Sequence, residues 1–155
     1  MNTDRRFLFR AAMTFAVVAG LSGAVFAKEP AYFTGIVSGV GAGGYDTVAY
    51  FTDKRAMKGD PALSVRHDGV EWRFSSAANR DAFVASPAKF IPQFGGYCSY
   101  AVAKGGTASG DPTQWDIVDG KLYFNYDADI RKTWNADREN FIKAGHANWP
   151  KVLGR

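Results

Sequence analysis

The sequence predicts a small α+β domain in which two antiparallel β-hairpins pack on two main helices. Two Asp-Gly pairs carry most of that expectation, Asp68-Gly69 and Asp119-Gly120, each set between short segments rich in aromatic and β-branched residues. The third observation is an apolar pattern of helical period near the end of the chain, at Ile130, Trp134, Phe141 and Ala144.

The first hairpin is read from Ala62-Leu63-Ser64-Val65-Arg66-His67 and Val70-Glu71-Trp72-Arg73-Phe74. Leu63, Val65, Val70, Trp72 and Phe74 alternate along it, so one face is apolar. Asp68-Gly69 suits a type I′ turn, whose two central residues both need positive φ. Ser75 or Ser76 then caps a helix running to about Ser86, because a hydroxyl there accepts from the free amides of the first turn. Pro87 is expected to end it. Phe90, Ile91 and Phe94 carry an apolar segment into Gly95-Gly96-Tyr97-Cys98-Ser99-Tyr100. After a polar loop from Lys104 to Asp111, Trp115-Asp116-Ile117-Val118 and Leu122-Tyr123-Phe124-Asn125-Tyr126 form the second hairpin. The tail from Asp127 to Ala144 reads as a helix. Asp137 falls inside its apolar arc, and the cost of burying an unpaired carboxylate puts it at the rim of the interface. A single core is expected to join Trp72 and Phe74 to Trp134 and Phe141, and no internal repeat is evident.

Ahead of the hairpins, residues 28–44 read as a flexible glycine-rich lead-in to a domain over 45–155. Gly39-Val40-Gly41-Ala42-Gly43-Gly44 formally satisfies G-x-G-x-x-G, but the following Tyr45-Asp46-Thr47-Val48-Ala49-Tyr50-Phe51 has strand-like composition where a dinucleotide motif needs a helix. Further upstream, Arg5, Arg6 and Arg10 precede an uncharged run from Ala11 to Ala27 that closes on Ala24-Val25-Phe26-Ala27. That is the layout of a signal peptide over residues 1–27, with Lys28 the first mature residue. A spanning helix needs about 20 strongly apolar residues. Gly20, Ser22 and Gly23 dilute this run, and no membrane span is expected after cleavage. Asp4-Arg5-Arg6-Phe7-Leu8-Phe9-Arg10 is similar to a twin-arginine export signal, departing from it at Asp4, where Ser or Thr is usual. The expected location is the periplasm or the exterior, with folding before export if that route is used.

The chain carries 19 basic and 15 acidic residues; setting aside Arg5, Arg6, Arg10 and Asp4 leaves 16 against 14, a net charge of +2. The basic character belongs mostly to the leader, and no basic run on the domain itself supports a nucleic-acid partner. Cys98 is the only cysteine, so no internal disulfide can form. In an oxidising compartment a lone thiol is reactive, metal-binding or buried.

The stretches Gly44-Tyr45-Asp46-Thr47-Val48-Ala49-Tyr50-Phe51, Asp68-Gly69-Val70-Glu71-Trp72-Arg73-Phe74-Ser75-Ser76 and Asn79-Arg80-Asp81-Ala82-Phe83 resemble the YHS-domain family, in its exported branch of YHS domain-containing (seleno)proteins. The resemblance continues through Gly95-Gly96-Tyr97-Cys98, Gly110-Asp111-Pro112, Trp115 to Tyr123 and Asn148-Trp149-Pro150, nearly all of the mature chain. Related metal-sensing domains hold a soft ion with cysteines on an early turn and at a helix start, and the resemblance carries the latter pair onto Ser75 and Asn79. A hydroxyl and an amide cannot replace two thiolates, and Ala49, near the early cysteine's place, offers no ligand. The resemblance also implies that some members use selenocysteine at the Gly-Gly-Tyr-Cys position, which marks Cys98 for chemistry, although a cysteine among Phe94, Tyr97 and Tyr100 equally suits packing.

Three functions remain open. The first is a soft-metal module, copper being the natural cofactor outside the cytoplasm, with Cys98, His67 and His146 as ligands. With Met57 these could compose a copper electron-transfer set, but they are scattered in sequence; taken singly, His67 adjoins a turn and His146 a helix end. The second is thiol redox chemistry at a catalytic Cys98, which needs a lowered pKa and an external resolving thiol. An unhindered thiolate there would be alkylated well below the pH of a free cysteine, and copper(I) would protect it. The third is a non-catalytic domain binding a small ligand or an exported partner protein, with Tyr97, Tyr100 and Asp46 as binding side chains. Serine-nucleophile and carboxylate-pair hydrolysis lack their motifs, so an enzyme is the less favoured reading.

Overall fold

A computed structural model of the chain describes residues 29–154; the expected signal peptide over 1–27 lies outside the described residues. From the N-terminus, a tight turn at Gly41–Gly44 leads to a one-turn helix α1 (Ala49–Thr52), then strands β1 (Asp60–His67) and β2 (Val70–Phe74) and helices α2 (Ala77–Ala85) and α3 (Pro87–Phe90). A second tight turn, Gln93–Gly96, leads to α4 (Ser99–Ala103), strands β3 (Asp111–Val118) and β4 (Lys121–Asn125), and helices α5 (Ala128–Ala136) and α6 (Arg138–Val152). The predicted α+β class holds: two separate antiparallel two-stranded sheets with helices packed on them. No helix among the described residues is long and apolar enough to cross a membrane.

Both hairpins close as their sequences dictate. Asp68 and Gly69 take φ of 49° and 79°, and Asp119 and Gly120 take 50° and 71°, the pair of left-handed residues that a type I′ turn needs. Ser76 caps α2 by accepting from the Asn79 amide, and Asp127 caps α5 by accepting from the Ile130 amide. Pro87 does more than end α2: it occupies the first turn of α3, where its missing amide hydrogen costs nothing.

Several expectations are corrected. The segment after the glycines is helical at Ala49–Thr52 rather than extended, because Asp46 caps it from within. The glycine-rich stretch belongs to the domain: Val40 and Ala42 are buried, and the Gly44 carbonyl accepts from the Gly59 amide. The C-terminal helix breaks at the exposed Asp137 and then runs on to Val152, beyond the expected end. The core is also divided. Trp72 and Phe74 pack with Phe83, Phe90, Leu122 and Phe124, whereas Trp134 packs with Phe94, Tyr97, Val102 and Tyr123, with Phe141 against it. The last helix is docked, on α4 and not on the first hairpin.

The domain contains an internal repeat. A shift of 51 residues carries β1, β2 and α2 onto β3, β4 and α5 with identical bounds, and it carries the strand irregularity between Asp60 and Ser64 onto the one between Asp111 and Trp115. Gly59-Asp60-Pro61 thus corresponds to Gly110-Asp111-Pro112, and Arg80 to Arg131. A Cβ at Gly59 would meet that of Arg73 at 2.7 Å, and a Cβ at Gly110 would meet that of Phe124 at 2.8 Å, so each glycine admits the same close approach. One residue further out of step, the turn at Gly43-Gly44-Tyr45 matches Gly95-Gly96-Tyr97. Ala42 and Phe94 share a left-handed φ of 50° and 54°. The Asp46 amide donates to Met57 just as the Cys98 amide donates to Ala108. Position 98 in the second half is therefore the counterpart of position 46 in the first.

Candidate functional site

Asp46 is fully buried and holds five donors. Its Oδ1 accepts from the amides of Val48 (2.9 Å) and Ala49 (3.2 Å), which starts α1. Its Oδ2 accepts from the Ser75 amide (2.8 Å), the Ser75 hydroxyl (2.6 Å) and Asn79 Nδ2 (2.8 Å). A carboxylate so surrounded fixes the glycine turn to the end of the first hairpin and to the first turn of α2. Ser75 and Asn79 are thus brought together, as their spacing on one helix face requires, but as donors to a carboxylate rather than as ligands. Asp46 does not line the open cleft between the two halves; its carboxylate is taken up by protein donors.

Cys98 is 1 % exposed. Its Sγ lies 3.8 Å from Oδ1 of the buried Asn125, whose same oxygen accepts from the Tyr100 amide at 3.2 Å. Burial pushes the Cys98 thiol up, against the pull of the Ala101, Tyr126 and Tyr100 amides gathered near the start of α4. Desolvation wins, which is the reverse of an activated thiolate. The Tyr97 ring packs on Phe33 and Trp149, and the Tyr100 ring on Phe141. Burial, then Glu29, pushes the Tyr97 hydroxyl up to about 12.

An open cleft of about 860 Å³ is lined by residues from both halves and contains neither Cys98 nor Asp46. His67 and Asp68 enter it from the first hairpin turn, Phe94 and Gly95 from the second glycine turn, and His146 and Trp149 from α6. Tyr32 crosses it on an N-terminal strap, its hydroxyl donating to Asp68 Oδ2 at 2.9 Å and its ring standing edge-on to Trp72. Burial, then that carboxylate, pushes Tyr32 up to about 12. The strap is held down by the Phe33 amide, which donates to the Gly95 carbonyl, and any side chain at Gly95 would strike Ala31. His67 stands 3.5 Å from Asp68 and edge-on to Phe83; His146 stacks against Phe94, and burial followed by the Lys121 charge lowers its pKa.

The three expected ligands are not gathered: His67 and His146 line the cleft, Cys98 is buried outside that lining, and no group of three or more His, Cys, Asp or Glu among the described residues could hold a metal ion. Sequence reasoning missed Tyr32, Asp68 and Trp149. Tyr32 lay in the segment read as a lead-in, and Asp68 was explained by its turn. Compared with known proteins, the chain matches no protein-family model, and no curated protein and no solved structure matches it.

Proposed function

We propose that this chain is an exported, non-catalytic small-ligand-binding domain of the YHS type, and that its ligand sits in the cleft between the two halves rather than at Cys98. The carrying observation is the cleft itself: about 860 Å³, lined by apolar and aromatic side chains together with the polar Tyr32, Thr34, His67, Asp68, Gln93 and His146. Ligand sites have that composition and often lie between structural units. The soft-metal and thiol-redox readings keep one supporting observation, the helix-start amides around the Cys98 sulfur.

The test is a protein-observed NMR screen of small aromatic and aliphatic fragments, following the His146 imidazole and Trp149 indole signals of the mature domain and of Ala88→Trp. Ala88 is an exposed residue at the cleft wall, so the indole fills the cleft without touching the core. Fragments that shift His146 and Trp149 and are lost in Ala88→Trp support the reading. Hits that persist in the filled variant, or that cluster around Cys98, overturn it.

A further inference from the structure

We propose that the cleft selects a ligand with an aromatic or apolar body and one protonated amine, the amine being held by Asp68. The inference rests on the cleft being the ligand site. The mature chain has a net positive charge, yet none of the lysines or arginines among the described residues lines this cleft. Histidines aside, the Asp68 carboxylate is the only charged side chain there among the described residues. Lys121 makes its charge felt at His146 but stays outside the lining. Among the described residues an anionic ligand would therefore meet a carboxylate and no lysine or arginine.

The walls match the same choice. Tyr32, Phe94 and Trp149 line the cleft together with Val70, Ile91 and Leu153. Aromatic faces attract a cation through their quadrupoles, and apolar walls take up the rest of a small amine. Tyr32 at 2.9 Å and His67 at 3.5 Å both approach Oδ2 of Asp68, and no side-chain donor among the described residues meets Oδ1. A carboxylate has about four lone-pair sites, so capacity for an ammonium remains.

The probes are 2-phenylethylamine, its neutral isostere 2-phenylethanol, and 3-phenylpropanoate, titrated while following the Trp149 indole signal by NMR. A pH of about 8 keeps an ordinary imidazole neutral and a primary amine charged. The expected result is binding of the amine at least about tenfold tighter than the carboxylate, with the alcohol between them. Asp68→Asn should bring the three together. That variant keeps the fold, because asparagine accepts the positive φ of 49° at this turn and still offers an oxygen to Tyr32. Equal binding of all three probes overturns the amine inference while leaving the cleft standing. An amine preference that survives Asp68→Asn overturns it too. If no probe moves Trp149, both the amine inference and the cleft reading fall.

Discussion

Replacing Asp46 tests whether a buried carboxylate, and not hydrophobic packing alone, holds the first half together. Asp46→Ala strands five donors: the Val48 and Ala49 amides, the Ser75 amide and hydroxyl, and Asn79 Nδ2. Val48 and Ala49 are fully buried, whereas Ser75 and Asn79 are half-buried and can recruit water. A buried donor left without a partner costs about 1–3 kcal/mol. Taking that figure for the two buried amides and little for the others gives a loss of roughly 2–6 kcal/mol, a large share of the about 5–15 kcal/mol available to a small domain. Asp46→Asn differs instructively. Its oxygen still serves Val48 and Ala49, while the Ser75 hydroxyl can rotate and the Asn79 amide can turn to accept from the new NH2. Only the Ser75 amide then faces a donor, so the loss is about 1–3 kcal/mol. Cys98→Ala, at the equivalent place in the second half, removes one buried atom and costs about 1–1.5 kcal/mol. Urea unfolding followed by tryptophan fluorescence ranks the three. An Asp46→Ala loss below about 1 kcal/mol, or an Asp46→Asn loss equal to it, would refute the lock.

The native Cys98 thiol should resist alkylation at neutral pH, react at the ordinary rate once denatured, and gain no protection from copper(I), with Cys98→Ser as the blank; native labelling below the pH of a free cysteine would revive the redox and soft-metal readings. His146 should titrate below the ordinary histidine value of 6.5, followed by its imidazole NMR signals. Because the folded value is depressed, its contribution to stability is present above 6.5 and is lost as the pH falls through the folded value. Lys121→Met should restore only part of the shift, since burial is the larger cause.

The elements with local signals were legible in the sequence. Asp68-Gly69 and Asp119-Gly120 announced both hairpins because positive φ at two adjacent positions restricts the residues that fit. Ser76 announced α2 because capping is a short-range hydrogen bond. The failures depended on distant partners. Tyr45 to Phe51 looked extended because the carboxylate that starts α1 is itself fixed by Ser75 and Asn79, some thirty residues away. The single core failed because alternation and helical period assign faces, not contacts; Trp134 and Phe141 had the right face and a different neighbour. The repeat escaped because its halves share shape more than residues. Trp72 aligns with Tyr123, Phe74 with Asn125 and Phe83 with Trp134, and the glycine turns are offset by one more residue than the hairpins.

The repeat also explains where the cleft lies. Glycine turn, hairpin and capped helix recur in both halves, so those parts have matching surfaces and bury one another: the Tyr50 hydroxyl of the first half donates to the Pro112 carbonyl of the second, and its ring packs on Trp115 and Phe124. Beyond the capped helix the halves diverge. After α2 the chain makes the short α3 and the run through Ile91 and Pro92; after α5 it makes the long α6. Two unlike continuations cannot close against each other as the repeated parts do, and the cleft opens between them, with Pro87, Ala88, Ile91 and Pro92 from one and His146, Trp149 and Leu153 from the other. The strap through Tyr32, which also has no counterpart, bridges the remaining gap by reaching Asp68 on the first half and, through Phe33, Gly95 on the second. In the repeated parts, Asp46 holds the first half with a full set of hydrogen bonds, while the smaller Cys98 and Asn125 fill the same place in the second. Chemistry that needs access therefore has its opening at the unrepeated parts, and it is Tyr32, Asp68, His146 and Trp149, rather than the lone cysteine, that face it.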